Sequence, residues 1–175
     1  MKRSLIALLG IATALLLTGC DVFTSTAPGN RWRSVTPGQT EIVVYVAVPT
    51  APADAAFNRA ADHGISVWSS VPNLTLKRTD ACQPNTNCID VFRKPMNGGE
   101  VRRQMVPVAT QSGVRNYITH VNMWMDSGRW STASLNNAFC HELGHAIGLD
   151  HGRNAGPCKG GKPTSWDFDR ANELY

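Results

Sequence analysis

His141-Glu142-Leu143-Gly144-His145-Ala146-Ile147-Gly148-Leu149-Asp150-His151 is the stretch that decides how this chain is read. It closes a helical pattern that starts near Ser131 and ends at Gly148. At about 100° per residue, Leu135, Phe139, Leu143, Ala146 and Ile147 fall within a sector of about 120°, while His141 and His145 lie opposite at about 240° and 280°. One face therefore packs on a core, and the other presents two imidazoles one turn apart. Two such side chains can converge on one tetrahedral metal ion, and imidazole suits zinc. Glu142 lies about 60° from His145 on the same wheel, beside the metal without needing to ligate it, where its carboxylate can accept a proton from water. Continued helically, His151 would point about 120° away from His145 and sit about 9 Å further along the axis. A glycine at Gly148 in the left-handed conformation ends the helix and folds the chain back, so that His151 supplies a third ligand.

This spacing is specific. A bare His-Glu-x-x-His arises by chance at roughly one position in tens of thousands, and adding a Gly and a third His at fixed offsets makes coincidence rarer by about three orders of magnitude. His63 and His120 have no partners at such spacings and read as ordinary surface or strand histidines.

Upstream, residues 41–48 form a continuous β-branched run suited to a strand covered on both faces. Pro49 and Pro52 end it, and Phe57, Ala61, Gly64 and Trp68 then mark a helical stripe interrupted at Gly64. Residues 74–78 and 89–93 read as strands, with a loop from Cys82 to Cys88 between them. Residues 101–109 suit an edge strand, and residues 117–125 another strand that ends in a turn at Asp126-Ser127-Gly128. After the histidine helix come a Gly/Pro-rich loop, 152–163, and a last helix. Its start is marked by Thr164 with Asp167 three residues on, a capping-box pattern, and its apolar stripe is Phe168, Ala171 and Leu174. The order strand, helix, strands, helix predicts an α+β domain: a twisted mixed sheet with two main helices and a small C-terminal subdomain.

The N-terminus reads differently. Lys2 and Arg3 precede an apolar run over residues 5–17, a secretory signal too short for the roughly 20 residues of helix that span a membrane. Leu17-Thr18-Gly19-Cys20 resembles the bacterial lipobox, which implies cleavage before Cys20 and lipid attachment to it; a plain signal peptide with an incidental cysteine is the alternative. The expected organisation is a signal peptide over 1–19, a lipidated Cys20 opening a Ser/Thr/Pro/Gly-rich tether over 20–39, and a folded domain over 40–175. Of 175 residues, 42% are hydrophobic and 17% charged, as in an ordinary globular protein. Without Lys2 and Arg3 the cations number 15 against 13 acids, so the formal charge drops from +4 to +2 with no basic run, which excludes nucleic acid as an expected partner. The chain is read as a monomer.

The histidine motif resembles that of the metzincin zinc endopeptidases, and within that clan it looks most like the matrixins. The match is close over residues 130–152. Weaker support comes from Val67-Trp68-Ser69 followed by Leu74-Thr75-Leu76, and from the terminal Asp-Phe-Asp-Arg-Ala-Asn-Glu-Leu-Tyr. The resemblance implies an upper sheet-and-helix subdomain, a small lower one and a cleft with zinc at its floor. It makes His141, His145 and His151 the zinc ligands and Glu142 the general base; no residue pattern assigns a calcium site. Two departures stand out. No methionine follows Met125, so the clan's Met-turn is missing and Cys158 occupies roughly its place. The short tether also leaves no room for an inhibitory propeptide.

With Cys20 carrying lipid, four cysteines remain for an oxidising compartment, with three pairings open; the sequence-local choice is Cys82–Cys88 with Cys140–Cys158. The second bridge would brace the loop against the helix that carries His141. The sequence thus predicts a lipid-anchored zinc metalloendopeptidase on the outer side of a bacterial membrane, acting on extended polypeptide. The alternative is a zinc-containing surface-binding lipoprotein without proteolytic activity, which the missing Met-turn favours and Glu142 opposes.

Overall fold

A computed structural model of the chain describes residues 31–33, 39–49, 54–110, 113–128, 131–151 and 157–175. The signal segment, Cys20, Trp130 and part of the loop after His151 lie outside the described residues. The elements run β1 (Arg31–Trp32), β2 (Ile42–Ala47), α1 (Ala55–Trp68), β3 (Leu74–Thr79), β4 (Cys88–Lys94), β5 (Gly99–Thr110), β6 (Gly113–Asp126), α2 (Thr132–Ala146) and α3 (Ser165–Leu174). They build a mixed α/β domain around one sheet. β2 lies between β3 and β4, and β4 pairs with β6, all parallel; β5 alone runs antiparallel, against β6.

Period-two alternation explains the strands. In β2, Ile42, Val44 and Val46 are buried while Val43 and Tyr45 are only half-covered, so one face is sealed and the other partly open, where cover on both faces was expected. β6 buries Ile118, Val121, Met123 and Met125. The helices close the inner face: α1 packs on β3 and on α2, and α2 reaches β5 and β6. Phe57 of α1 meets Phe139 of α2 edge-on with ring centroids 4.8 Å apart. Gly64, which interrupts the apolar stripe of α1, lets α2 approach closely, since a Cβ there would stand 2.9 Å from Leu143 Cδ1.

The folded unit begins earlier than the expected boundary at residue 40. Arg31 and Trp32 pair in parallel with Tyr117 and Ile118, on the same side of β6 as β4. Trp32 is fully buried, and its indole N–H donates to the Ala146 carbonyl at 3.1 Å. Two residues in a polar stretch carry no readable period; their place is set by contacts more than a hundred positions away. The buried Asn87 side chain joins this segment to the sheet, donating to Arg33 O at 2.7 Å and Val43 O at 3.3 Å.

Beyond Gly148, residues 157–175 form the small C-terminal unit. Thr164 and Asp167 make the capping box of α3, which returns to the core through buried Ala171, with Phe168 and Leu174 packed beside it. Asp167 does more than cap: its carboxylate also accepts from Cys158 N at 3.2 Å, which fixes the loop to the helix. Both proposed disulfides are present, Cys82–Cys88 and Cys140–Cys158, the chemistry of an oxidising compartment. Among the described residues no helix is long and apolar enough to cross a membrane.

Candidate metal centre

α2 carries the first two histidines. Ser131 caps its start, its side chain accepting from Ser134 N at 3.2 Å. At its end Gly148 N bonds to His145 O and Leu149 N to Gly144 O, both at 3.0 Å, a Schellman closure. Gly148 takes φ 109°, the left-handed region that the sequence required of it. The carbonyls left over at the helix end are taken up by Trp32, and by the Tyr175 hydroxyl, which donates to Ile147 O at 2.6 Å.

The turn brings His151 back. His145 Nε2 lies 3.1 Å from His141 Nε2, and His151 Nε2 lies 3.4 Å from the same atom. All three ring nitrogens fall within 4.8 Å of one another. Four ligands held about 2.05 Å from a tetrahedral zinc ion stand about 3.3 Å apart, so the two shorter separations have the spacing of nitrogens around such an ion. His145 Nδ1 faces Leu149 O at 2.8 Å, which assigns its proton to Nδ1 and leaves the Nε2 lone pair for a metal. His141 hydrogen-bonds the Pro157 backbone, necessarily its carbonyl, because proline has no N–H. Burial, and then the neighbouring His151, pushes His141 down to about 4; burial, and then His141, pushes His145 down to about 3. Both are neutral at pH 7, the form that ligates. The residues present fit a metal ion.

Glu142 stands at the edge of the apolar face of α2, and β5 covers it there. It is only 3% exposed, turned towards β5 rather than towards open solvent. Its carboxyl occupies the space above Gly99, where any Cβ would overlap it. Burial, with Glu100 nearby, pushes the group up to about 8. Glu100 moves the other way, held below its usual range chiefly by the Lys94 ammonium at 2.9 Å, with Arg102 at 2.6 Å also contributing.

Gly99 was not legible as a site residue. Its importance depends on which strand covers α2, and no local motif marks it. The two remaining histidines behave as ordinary ones: His63 Nε2 bonds Gly161 O at 2.8 Å, and His120 pairs with Asp90 at 3.2 Å. Cys82 lies close enough to His120 and Asp90 to complete a second group of three donors. Its sulfur is bound to Cys88, however, which leaves two donors, too few for a structural metal site.

No protein-family model matches the sequence, and no curated protein matches it. Two solved structures of myroilysin are similar to the chain. One shows 18% identity and a TM-score of 0.41 over 70% of this chain and 52% of that one. The other shows 20% identity and a TM-score of 0.40 over 73% and 51%. The chain spans about half the length of the myroilysin chains it matches.

Proposed function

We propose that the protein is a zinc-dependent endopeptidase of the metzincin type, held at an extracytoplasmic membrane surface by lipid on Cys20. The observation that carries this reading is the convergence of the His141, His145 and His151 ring nitrogens, with Glu142 buried on the next residue of the same helix. His141, His145 and His151 would hold the zinc ion, which when bound would supply Lewis acidity towards a peptide carbonyl and water. Glu142 takes the proton of the attacking water and passes it to the departing amine nitrogen. β5 offers the substrate a place to bind. Among the described strands it pairs only with β6, so its other edge can receive an extended peptide as an added strand.

Zinc stoichiometry and peptide cleavage should be measured together, on the wild type and on Glu142→Ala. One zinc per chain in both proteins, with cleavage in the wild type alone, supports the reading. One zinc per chain with no cleavage anywhere in a broad peptide library replaces it with the inert surface-binding lipoprotein that the absent Met-turn favours. Intact-mass analysis of membrane-extracted protein tests the anchor: an unmodified Cys20 removes it.

A further inference from the structure

β5 touches the site at two points. Strand alternation puts Gly99, Val101 and Arg103 on one face. Gly99 makes room for the Glu142 carboxyl, Val101 enters the core, and the Arg103 side chain is 5% exposed. The Arg103 guanidinium reaches Asp150 with Nη2 2.7 Å from Oδ1. Past Arg103 the strand leaves the core: its register against β6 shifts between Gln104 and Met105, and Met105 and Val106 are exposed. The inward series therefore ends on a buried cation aimed at the histidine turn.

Asp150 stands between the two residues that matter there. Leu149 supplies the carbonyl that orients His145, and His151 is the third ligand. His151 is exposed and comes from a turn rather than from α2, so its distance from the α2 histidines depends on how that turn is held. The Arg103 end of the ion pair is buried and the Asp150 end is partly exposed, and such a pair adds little net stability, because desolvating the guanidinium and screening by solvent offset the attraction. What it does supply is a fixed geometry.

We propose that Arg103 is a positioning residue for the metal centre: through its ion pair with Asp150 it holds the turn from Leu149 to His151 against β5 and keeps His151 in register with His141 and His145. This rests on the metal-centre reading above. It also makes the edge strand offered to a peptide the same element that supports the third ligand.

The test uses the full chain with Arg103→Met, Asp150→Asn, Arg103→Lys and the double variant Arg103→Met/Asp150→Asn. Zinc affinity is read by competition with a chromophoric chelator, and geometry by the visible absorption of the Co2+ form. Thermal melts of the metal-free proteins run in parallel. Arg103→Met and Asp150→Asn should each weaken zinc binding about 10- to 100-fold, as loss of ligand-orienting partners does. Their Co2+ bands should weaken as the tetrahedral site opens. The double variant should be no worse than either single, and Arg103→Lys should recover part of the loss. A folded Arg103→Met with wild-type zinc affinity and an unchanged Co2+ spectrum overturns the proposal. If Arg103→Met does not fold, Asp150→Asn decides on the same two readouts. A wild type that takes up neither ion overturns the metal-centre reading itself, and this inference with it.

Discussion

Replacing Glu142 with Gln should stabilise the metal-free protein while it abolishes hydrolysis, and the gain should depend on pH in a way that can be worked out. The carboxyl is 3% exposed and its folded-state pKa is pushed up to about 8 from an ordinary 4.5. Between those values the unfolded chain has released the proton and the folded chain keeps it. The unfolded state then binds fewer protons, so stability falls as pH rises. At 1.36 kcal/mol per pKa unit, the 2.5 units from 4.5 to 7 amount to about 3 kcal/mol, and the full interval to pH 8 approaches about 5 kcal/mol. Glutamine has nearly the shape of the protonated acid and does not titrate. Differences in packing and hydrogen bonding between the two side chains are constant with pH, so the variation with pH isolates the ionisation cost.

The assay is urea unfolding of wild type and Glu142→Gln with a chelator present, at intervals from pH 4 to 9. The variant's advantage should start at its baseline value below about pH 4.5, grow by about 3 kcal/mol at pH 7, and level off above pH 8. Zinc-loaded variant should hydrolyse peptide at least about 100-fold more slowly than wild type, the usual contribution of a positioned base. A stability difference that stays flat from pH 4.5 to 8, or shrinks, would refute the placement of this carboxyl in a low-dielectric pocket under β5.

Three further outcomes follow from the same contacts. The histidines act in the opposite direction to Glu142: their folded pKa values of about 4 and 3 lie below the ordinary 6.5, so the stability they contribute is present above that value and lost as pH falls. Together the two effects place the stability maximum of the metal-free wild type near about pH 6.5, and Glu142→Gln should lose the decline on its alkaline side. Gly99→Ala should destabilise the fold by roughly 1–3 kcal/mol, as overpacking does, and the penalty should largely vanish in a Glu142→Ala background, which a double-mutant cycle in urea would show. Removing the Cys140–Cys158 bridge by Cys140→Ala/Cys158→Ala opens a loop with a sequence separation of 18, worth about 3 kcal/mol in the chain-entropy model, and the denaturation midpoint should fall accordingly.

Much of the fold was legible because it is local. The β-branched run that became β2, the stripe of α1 and the capping box of α3 each carry their period or signature within a dozen residues. The histidine triad was legible for the same reason, since two histidines one turn apart and a glycine before the third define their own geometry. What the sequence hid is what depends on register between distant elements. Trp32 sits among polar residues and is buried by the far end of α2. Gly99 and Arg103 look unremarkable until β5 is laid against β6 and over α2. The helical wheel placed Glu142 at about 340°, at the margin between the histidine face and the apolar face. Only the covering strand decides that it is buried.

The Cys140–Cys158 disulfide braces the helix that carries His141. Cys140 precedes His141, and its partner Cys158 follows Pro157, whose carbonyl holds His141. Pro157 is seated in a notch made by the absence of a side chain at Gly144, where a Cβ would stand 2.6 Å from the proline ring. On the other side of that notch a Gly144 Cβ would meet Trp68 Cζ2 at 2.9 Å, and the Trp68 indole donates to Cys140 O at 2.7 Å. Asp167 then ties Cys158 to the start of α3. The disulfide, Pro157 and Trp68 act on the helix within one turn of His141, from the loop and from α1, while α3 holds the loop through Asp167. Here a covalent link fixes the loop, the loop presents a carbonyl, and the carbonyl fixes the orientation of the imidazole. The glycine between His141 and His145 is therefore part of what orients His141, and its replacement would act on that imidazole through Pro157.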